Sequence, residues 1–266
     1  MRRVAKTGNF IKLGFVSAEY RFIIRQATLR RADVLECARD VATYFMYRQA
    51  KPNAVTACKE DTQVTDRIEE ILGFWFAETP RDAFKIDARM SLWFGDDPAM
   101  DQKISTMFSK DIGRASTGEL DAWSETPRGR LALIILLDQF RRNIYRHSKD
   151  AFLQDHRVLT LTIHGMEIGH DRQLEPVERA FFYMPMQHSE SLKVQEFSVR
   201  TFTNLAETVK PTLRATFGTF TQFAELHRDI VAQFGRFPHR NAVLGRENTP
   251  EEEAYLDQNT PSFGQG

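Results

Sequence analysis

At four places in this chain an oxygen-bearing side chain is followed directly by proline and then by a helical pattern. The pairs are Asp97-Pro98, Thr126-Pro127, Glu175-Pro176 and Thr249-Pro250. A side-chain oxygen before the first turn accepts from amides that the helix leaves unpaired, and proline at the first helical position has no N–H to lose. The fourth pair continues Glu251-Glu252, which completes a capping box. Behind Pro98, Ile104, Met107, Phe108 and Ile112 recur at helical spacing. Behind Pro127 and Pro176 run "RLALIILLDQF" and "VERAFFYMPMQH". Thr65 reads as the cap of a helix carrying Ile68, Ile71, Leu72, Trp75 and Phe76, stopped by Pro80. "AFLQDHRVLTLTIHGMEIG" sets Phe152, Leu159 and Ile163 on one face and stops at Gly169. "SLKVQEFSVRTFTNLAETV" ends at Pro211, and "TFTQFAELHRDIVAQF" runs to Gly235. No β-branched run alternates with polar residues, and no Asn-Gly or Asp-Gly hairpin turn occurs. The expected fold is all-α: about eight helices in an antiparallel array with short loops. No clean 34-residue self-match is visible.

The longest apolar run, "LALIILL" at 131–137, is far short of a membrane span. Formal net charge is zero, which gives no global drive toward nucleic acid or anionic membranes. Cys37 and Cys58 have no metal-type spacing, so a reducing, cytoplasmic setting is the default. The neutral total hides an asymmetry. Residues 1–65 hold 12 Lys+Arg against 6 Asp+Glu, leaving 24 against 30 for the remainder. Residues 1–65 are therefore set apart as a basic N-terminal extension, and residues 66–266 as an all-helical domain. The arginine-rich start fits an organelle transit peptide, a lineage-specific helical extension or a start codon placed upstream of Met46.

The informative positions are the polar residues on apolar stripes. Asp138 and Arg142 continue the stripe of Leu131, Ile134 and Ile135, four residues apart, so they can pair on the helix. His188 continues that of Val177, Phe181 and Met184. Gln195 shares a face with Leu192, Val199 and Phe202, and His227 with Phe220, Phe223, Ile230 and Phe234. A buried charge needs a partner, so five such intrusions are expected to meet. Each also has a structural reading: a satisfied core histidine, a structural ion pair, a glutamine capping a backbone group. A second concentration lies in "FGRFPHRNAVLGR", residues 234–246, where Arg236, His239, Arg240, Asn241 and Arg246 crowd one inter-helix connection.

"GRLALIILLDQFRRNIYR", "ERAFFYMPMQHSESLKVQ" and "HRDIVAQFGRFPHRNAVLGRENTPEEEAYL" resemble the bacterial domain-of-unknown-function family numbered 924. "ILGFWF", "WFGDDPAMD", "GELDAW" and "PSFG" extend the resemblance over about residues 66 to 264. It implies a tetratricopeptide-like helical superhelix. It implies no catalytic residues, because the family has no established activity. One departure stands out. The family usually has proline where this chain has Arg141, and without proline the helix is expected to run on past Arg142 and Asn143.

The candidate site is therefore Asp138, Arg142, Asn143, His188, Gln195, His227, Arg236, His239, Arg240, Asn241 and Arg246. Its arginines and asparagines suit a carboxylate or phosphate, so the first expectation is a protein that binds a small anionic molecule or peptide. The second is an enzyme using histidine–carboxylate acid–base chemistry on an anionic substrate. The third is a purely structural polar centre. No Gly-x-Ser-x-Gly elbow, P-loop or dinucleotide fingerprint is present, and no cofactor is expected. No His-Glu-x-x-His occurs, and a metal held by His188, His227 and His239 is the weakest alternative. Nucleic acid is disfavoured by the acidic helical body.

Overall fold

The computed structural model describes residues 57–79, 82–258 and 263. Pro80, Cys37, Met46 and the arginine-rich start lie outside the described residues, as does most of "PSFG". Among the described residues every regular element is helical, as the periodicity predicts. Helix α1 spans Ala57–Phe76, α2 Ala83–Phe94 and α3 Pro98–Thr117. Helix α4 (Pro127–Ile134) passes into a π-helical stretch, Ile135–Phe140, and then into α5 (Arg141–Ile144). Next come α6 (Asp155–Glu167), α7 (Pro176–Gln187), α8 (Leu192–Thr208) and α9 (Arg214–Phe234). Two short helices close the described chain, α10 (Asn241–Leu244) and α11 (Pro250–Leu256).

The proline-marked starts are where the sequence places them. Asp97 accepts from the Ala99 amide and Thr126 from that of Gly129. Glu175 pairs reciprocally with Glu178, and Thr249 with Glu252. Gly235 ends α9 at φ 71, a left-handed conformation that side-chain-bearing residues adopt at a cost. Thr65 is a correction. It does not cap α1 but lies inside it, because residues 57–64 contain no proline or glycine to break the helix. The continuous helix therefore crosses the 65/66 boundary drawn from charge.

The helix of "RLALIILLDQF" is the centre of the domain. Every residue from Gly129 to Phe140 is buried. A helix apolar all round is stable only when neighbours cover every side, and α1, α3, α6 and α7 supply that cover. Around it the aromatic side chains interlock edge to face. Trp75 meets Phe140 at 5.4 Å and Phe181 at 5.6 Å between ring centroids. Trp93 packs on Phe181 at 4.8 Å and donates its indole N–H to the Trp75 carbonyl at 3.0 Å. Helix α8 returns along α9 through a short connection at Pro211–Leu213. Thr216 on α9 donates to Asp87 on α2 at 2.8 Å, which brings α2 over the same end of the bundle. The ends of α2 and α7 thus converge with the π stretch and the middle of α9.

Candidate functional site

Where those ends converge there is a cavity of about 170 Å³. Its lining is apolar at Trp93, Phe94, Met184, Phe220, Phe223 and Phe263 and polar at Gln139, Arg142, Asn143, Arg146, Gln187, His188 and His227, the last stacked on Phe263 at 4.0 Å.

The polar lining is built on the π stretch. A π turn is a poorer helix than an α turn and is frequent at functional sites. Asp138 and Gln139 fall within it, both buried. The Asp138 carboxylate is fully enclosed. It accepts from His188 Nδ1 at 2.7 Å and from Gln139 Nε2 at 2.6 Å, and Arg142 lies 3.3 Å away, as the four-residue spacing predicts. Burial alone disfavours its charge, but the charge of Arg142 and the hydrogen bonds from His188 and Gln139 outweigh burial and hold its pKa well below the ordinary carboxylate range.

His188 is the first residue beyond α7. Gln195 holds that turn by donating to the carbonyls of Gln187 at 2.7 Å and Ser189 at 2.6 Å. The structural alternative for Gln195 is the one realised. Burial, then the charge of Arg142, pushes the His188 pKa down against the pull of Asp138, so the ring is neutral near pH 7. An ionised carboxylate only accepts, so the single ring proton must sit on Nδ1, and Nε2 keeps its lone pair. His227 repeats the arrangement. Its Nδ1 donates to the Phe223 carbonyl at 2.7 Å, and Nε2 is again the remaining nitrogen. The two rings lie 6.2 Å apart, centroid to centroid. Burial drives the His227 pKa down to about 3.

The arginines at and just behind the cavity have carboxylate partners. Arg142 reaches Asp155 at 2.7 Å, and Arg240 reaches the other oxygen of Asp155 at 3.2 Å. Arg240 also donates to the His188 carbonyl at 3.1 Å and lies between the rings of Phe152 and Phe237, at 4.6 and 4.4 Å. Arg146 grips Asp101 at 2.5 and 3.1 Å, and Asn143 donates to the same carboxylate at 2.8 Å. Asp155 and Arg146 were not among the candidates read from the sequence. Neither were Gln139, Gln187 or the aromatic wall.

The connection "FGRFPHRNAVLGR" divides. Arg236 is bound to Glu252 at 2.6 and 2.7 Å, and Asn241 donates to Glu252 and Asn248. Arg246 is bound to Glu190 at 2.8 and 3.0 Å, while Glu190 also accepts from the Phe237 amide. These contacts clasp the last helices to the turn that carries His188. None of Arg236, Asn241 or Arg246 lines the cavity. His239 is buried beside it, with its ring 5.5 Å from that of Phe263. Among the described residues no three His, Cys, Asp or Glu side chains are grouped to hold a metal ion. No described helix is long and apolar enough to cross a membrane. The structure therefore brings Asp138, Arg142, Asn143, His188 and His227 together at one cavity. Arg240 and Gln195 support them from behind, and Arg236, Asn241 and Arg246 form the clasp.

The buried imidazoles carry a pH signature. The pKa values of His227 and His239 are each pushed down to about 3, chiefly by burial. In the unfolded chain these rings take up protons near pH 6.5. Their contribution to stability is thus complete above pH 6.5 and is lost as pH falls toward 3. Each site adds a slope of up to ~1.4 kcal/mol per pH unit in that window. The urea midpoint is expected to fall steadily between pH 7 and pH 5. A midpoint flat across that range would contradict the burial of neutral imidazoles.

The family described as a bacterial protein of unknown function (DUF924) matches residues 71–260. Among solved structures, a protein of unknown function, ATU0120 from Agrobacterium tumefaciens, is 33% identical with a TM-score of 0.63. The match covers 73% of this chain and 99% of that one. No curated protein matches this chain.

Proposed function

The chain belongs to the DUF924 family of bacterial proteins of unknown function, and from the site of this member we propose that it binds a small molecule in the cavity and uses His188 as a general base on it. One observation carries the reading. Asp138 is buried behind His188 and hydrogen-bonded to Nδ1, which leaves Nε2, on a ring that lines the cavity, as a nitrogen able to take a proton. A carboxylate that orients an imidazole and steadies the imidazolium formed on proton transfer is the supporting half of the serine-protease triad. Among the described residues no serine lines the cavity, and the chemistry proposed is proton transfer to and from the bound molecule. A cavity of about 170 Å³ suits a compact ligand rather than an extended peptide. A purely structural role fits the clasp of Arg236, Arg246 and their glutamates. It does not account for an ordered Asp–His pair facing a cavity. A tetratricopeptide-like array, supported by α8 returning along α9, and a cytoplasmic setting belong to the same proposal.

The test is turnover of a cell-extract metabolite pool followed by mass spectrometry, comparing the wild-type chain with His188→Gln. The wild type is expected to change the pool, and His188→Gln to do so at least ~100-fold more slowly, the usual loss of a general base. An unchanged pool, or equal change by both proteins, would defeat the proposal.

A further inference from the structure

The charge balance and the unused hydrogen-bonding groups of the cavity define a substrate class. Its two lining arginines are each held against carboxylates: Arg142 by Asp155 and Asp138, Arg146 by Asp101. An entering carboxylate or phosphate would have to compete with oxygens already in place. The groups left for a ligand are uncharged. Gln187 is 1% exposed, lines the cavity, and its side-chain amide makes no hydrogen bond; its Nε2 is fully enclosed. A buried amide without a partner has lost its water and gained nothing in return, so the position is unfavourable for the empty protein and favourable once a ligand supplies the partner. His188 and His227 each offer an Nε2 lone pair, because their Nδ1 protons are taken by Asp138 and by the Phe223 carbonyl. Both rings therefore ask the ligand for a donor, whereas Gln187 presents a donor and an acceptor side by side. The same lining carries aromatic side chains, among them Phe94 and Phe223 with ring planes 28° apart. A cavity of ~150 Å³ accommodates a benzene ring, and this one is about 170 Å³.

Resting on the proposal of a small-molecule site at His188, we infer that its substrate is a neutral, single-ring compound with a ring N–H beside a carbonyl, a cyclic amide or imide. The flat faces of such a ring pack on the aromatic wall. Its N–H and C=O edge matches the Gln187 carboxamide, which can engage a donor–acceptor edge with two hydrogen bonds, as glutamine does with adenine. In a ring with two N–H groups, such as uracil, the second meets an imidazole lone pair, where His188 can remove the proton.

The full chain should be titrated calorimetrically with uracil, a neutral cyclic imide, and with benzoate, an anion on a ring of the same size. Uracil is expected to bind, and benzoate at least tenfold more weakly. The second arm is Gln187→Leu, which keeps the side-chain volume and removes the unpaired amide. It is expected to melt no lower than the wild type and to bind uracil at least tenfold more weakly. A Gln187→Leu protein that melts lower, or that binds uracil unchanged, overturns the role given to Gln187 and with it the inference. Benzoate binding as tightly as uracil, or no uracil binding, overturns the substrate class. Loss of the inference in either way leaves the His188 reading to be judged by the metabolite-pool comparison, which does not depend on ring compounds.

Discussion

Asp155→Ala is expected to lower folding stability by about 3–5 kcal/mol, the range for removing one partner from a buried ion pair. The reason is the geometry of Asp155. One oxygen holds Arg142 and the other holds Arg240, and both guanidiniums are largely buried. With Asp155 gone, Asp138 still lies 3.3 Å from Arg142, but Arg240 keeps only the His188 carbonyl and the two phenyl faces. Burial already pulls the Arg240 pKa down to about 10 in the presence of Asp155. Without it that charge is left, in a low-dielectric interior, to Glu190, which already binds Arg246. Urea unfolding followed by circular dichroism gives the difference directly. A loss below about 1 kcal/mol, the range of a surface pair, would mean that the arginines do not depend on this carboxylate.

Asp138→Asn tests the same centre from the catalytic side. The change preserves shape but removes the charge that orients His188, and Asp155 is left as the one carboxylate between Arg142 and Arg240. Stability is again expected to fall by about 3 kcal/mol or more. Turnover, assayed where the variant is still folded, is expected to fall by roughly 10³–10⁴-fold, comparable with the loss when a histidine base is deprived of its carboxylate. A folded Asp138→Asn protein with undiminished turnover would show that Asp138 does not serve His188.

Much of the scaffold is legible in the sequence because it is locally determined. A cap at Thr126 or Thr249 and a stop at Gly235 depend on a few neighbouring residues, and the structure has all three. Asp138 with Arg142 was legible for the same reason, since four residues make one helical turn. Thr65 shows the limit. A good cap residue does not start a helix when the segment before it is itself helical. The π stretch at Ile135–Phe140 was not legible, because its wider turn follows from packing on every side rather than from its own residues. Asp155 was missed because its stretch was read for the apolar positions Phe152, Leu159 and Ile163. Its importance comes from two arginines 13 residues before it and 85 residues after it. Gln187 stands beside His188 on the same apolar run and gave no separate signal. In "FGRFPHRNAVLGR" Arg236 and Arg246 read as ligand donors from the sequence, and the structure pairs both with glutamates. Their partners Glu190 and Glu252 lie 56 and 16 residues away, and only the fold brings them close.

Everything proposed for the site rests on the protonation of one ring. Long-range nitrogen–proton correlation NMR of the full chain at pH 7, with His188 assigned by its loss in His188→Gln, reads that state directly. The arrangement predicts a neutral imidazole, protonated on Nδ1, whose Nε2 resonates as an unprotonated nitrogen and shifts when a ligand occupies the cavity. A His188 that is an imidazolium at pH 7, or that carries its proton on Nε2, would contradict the account.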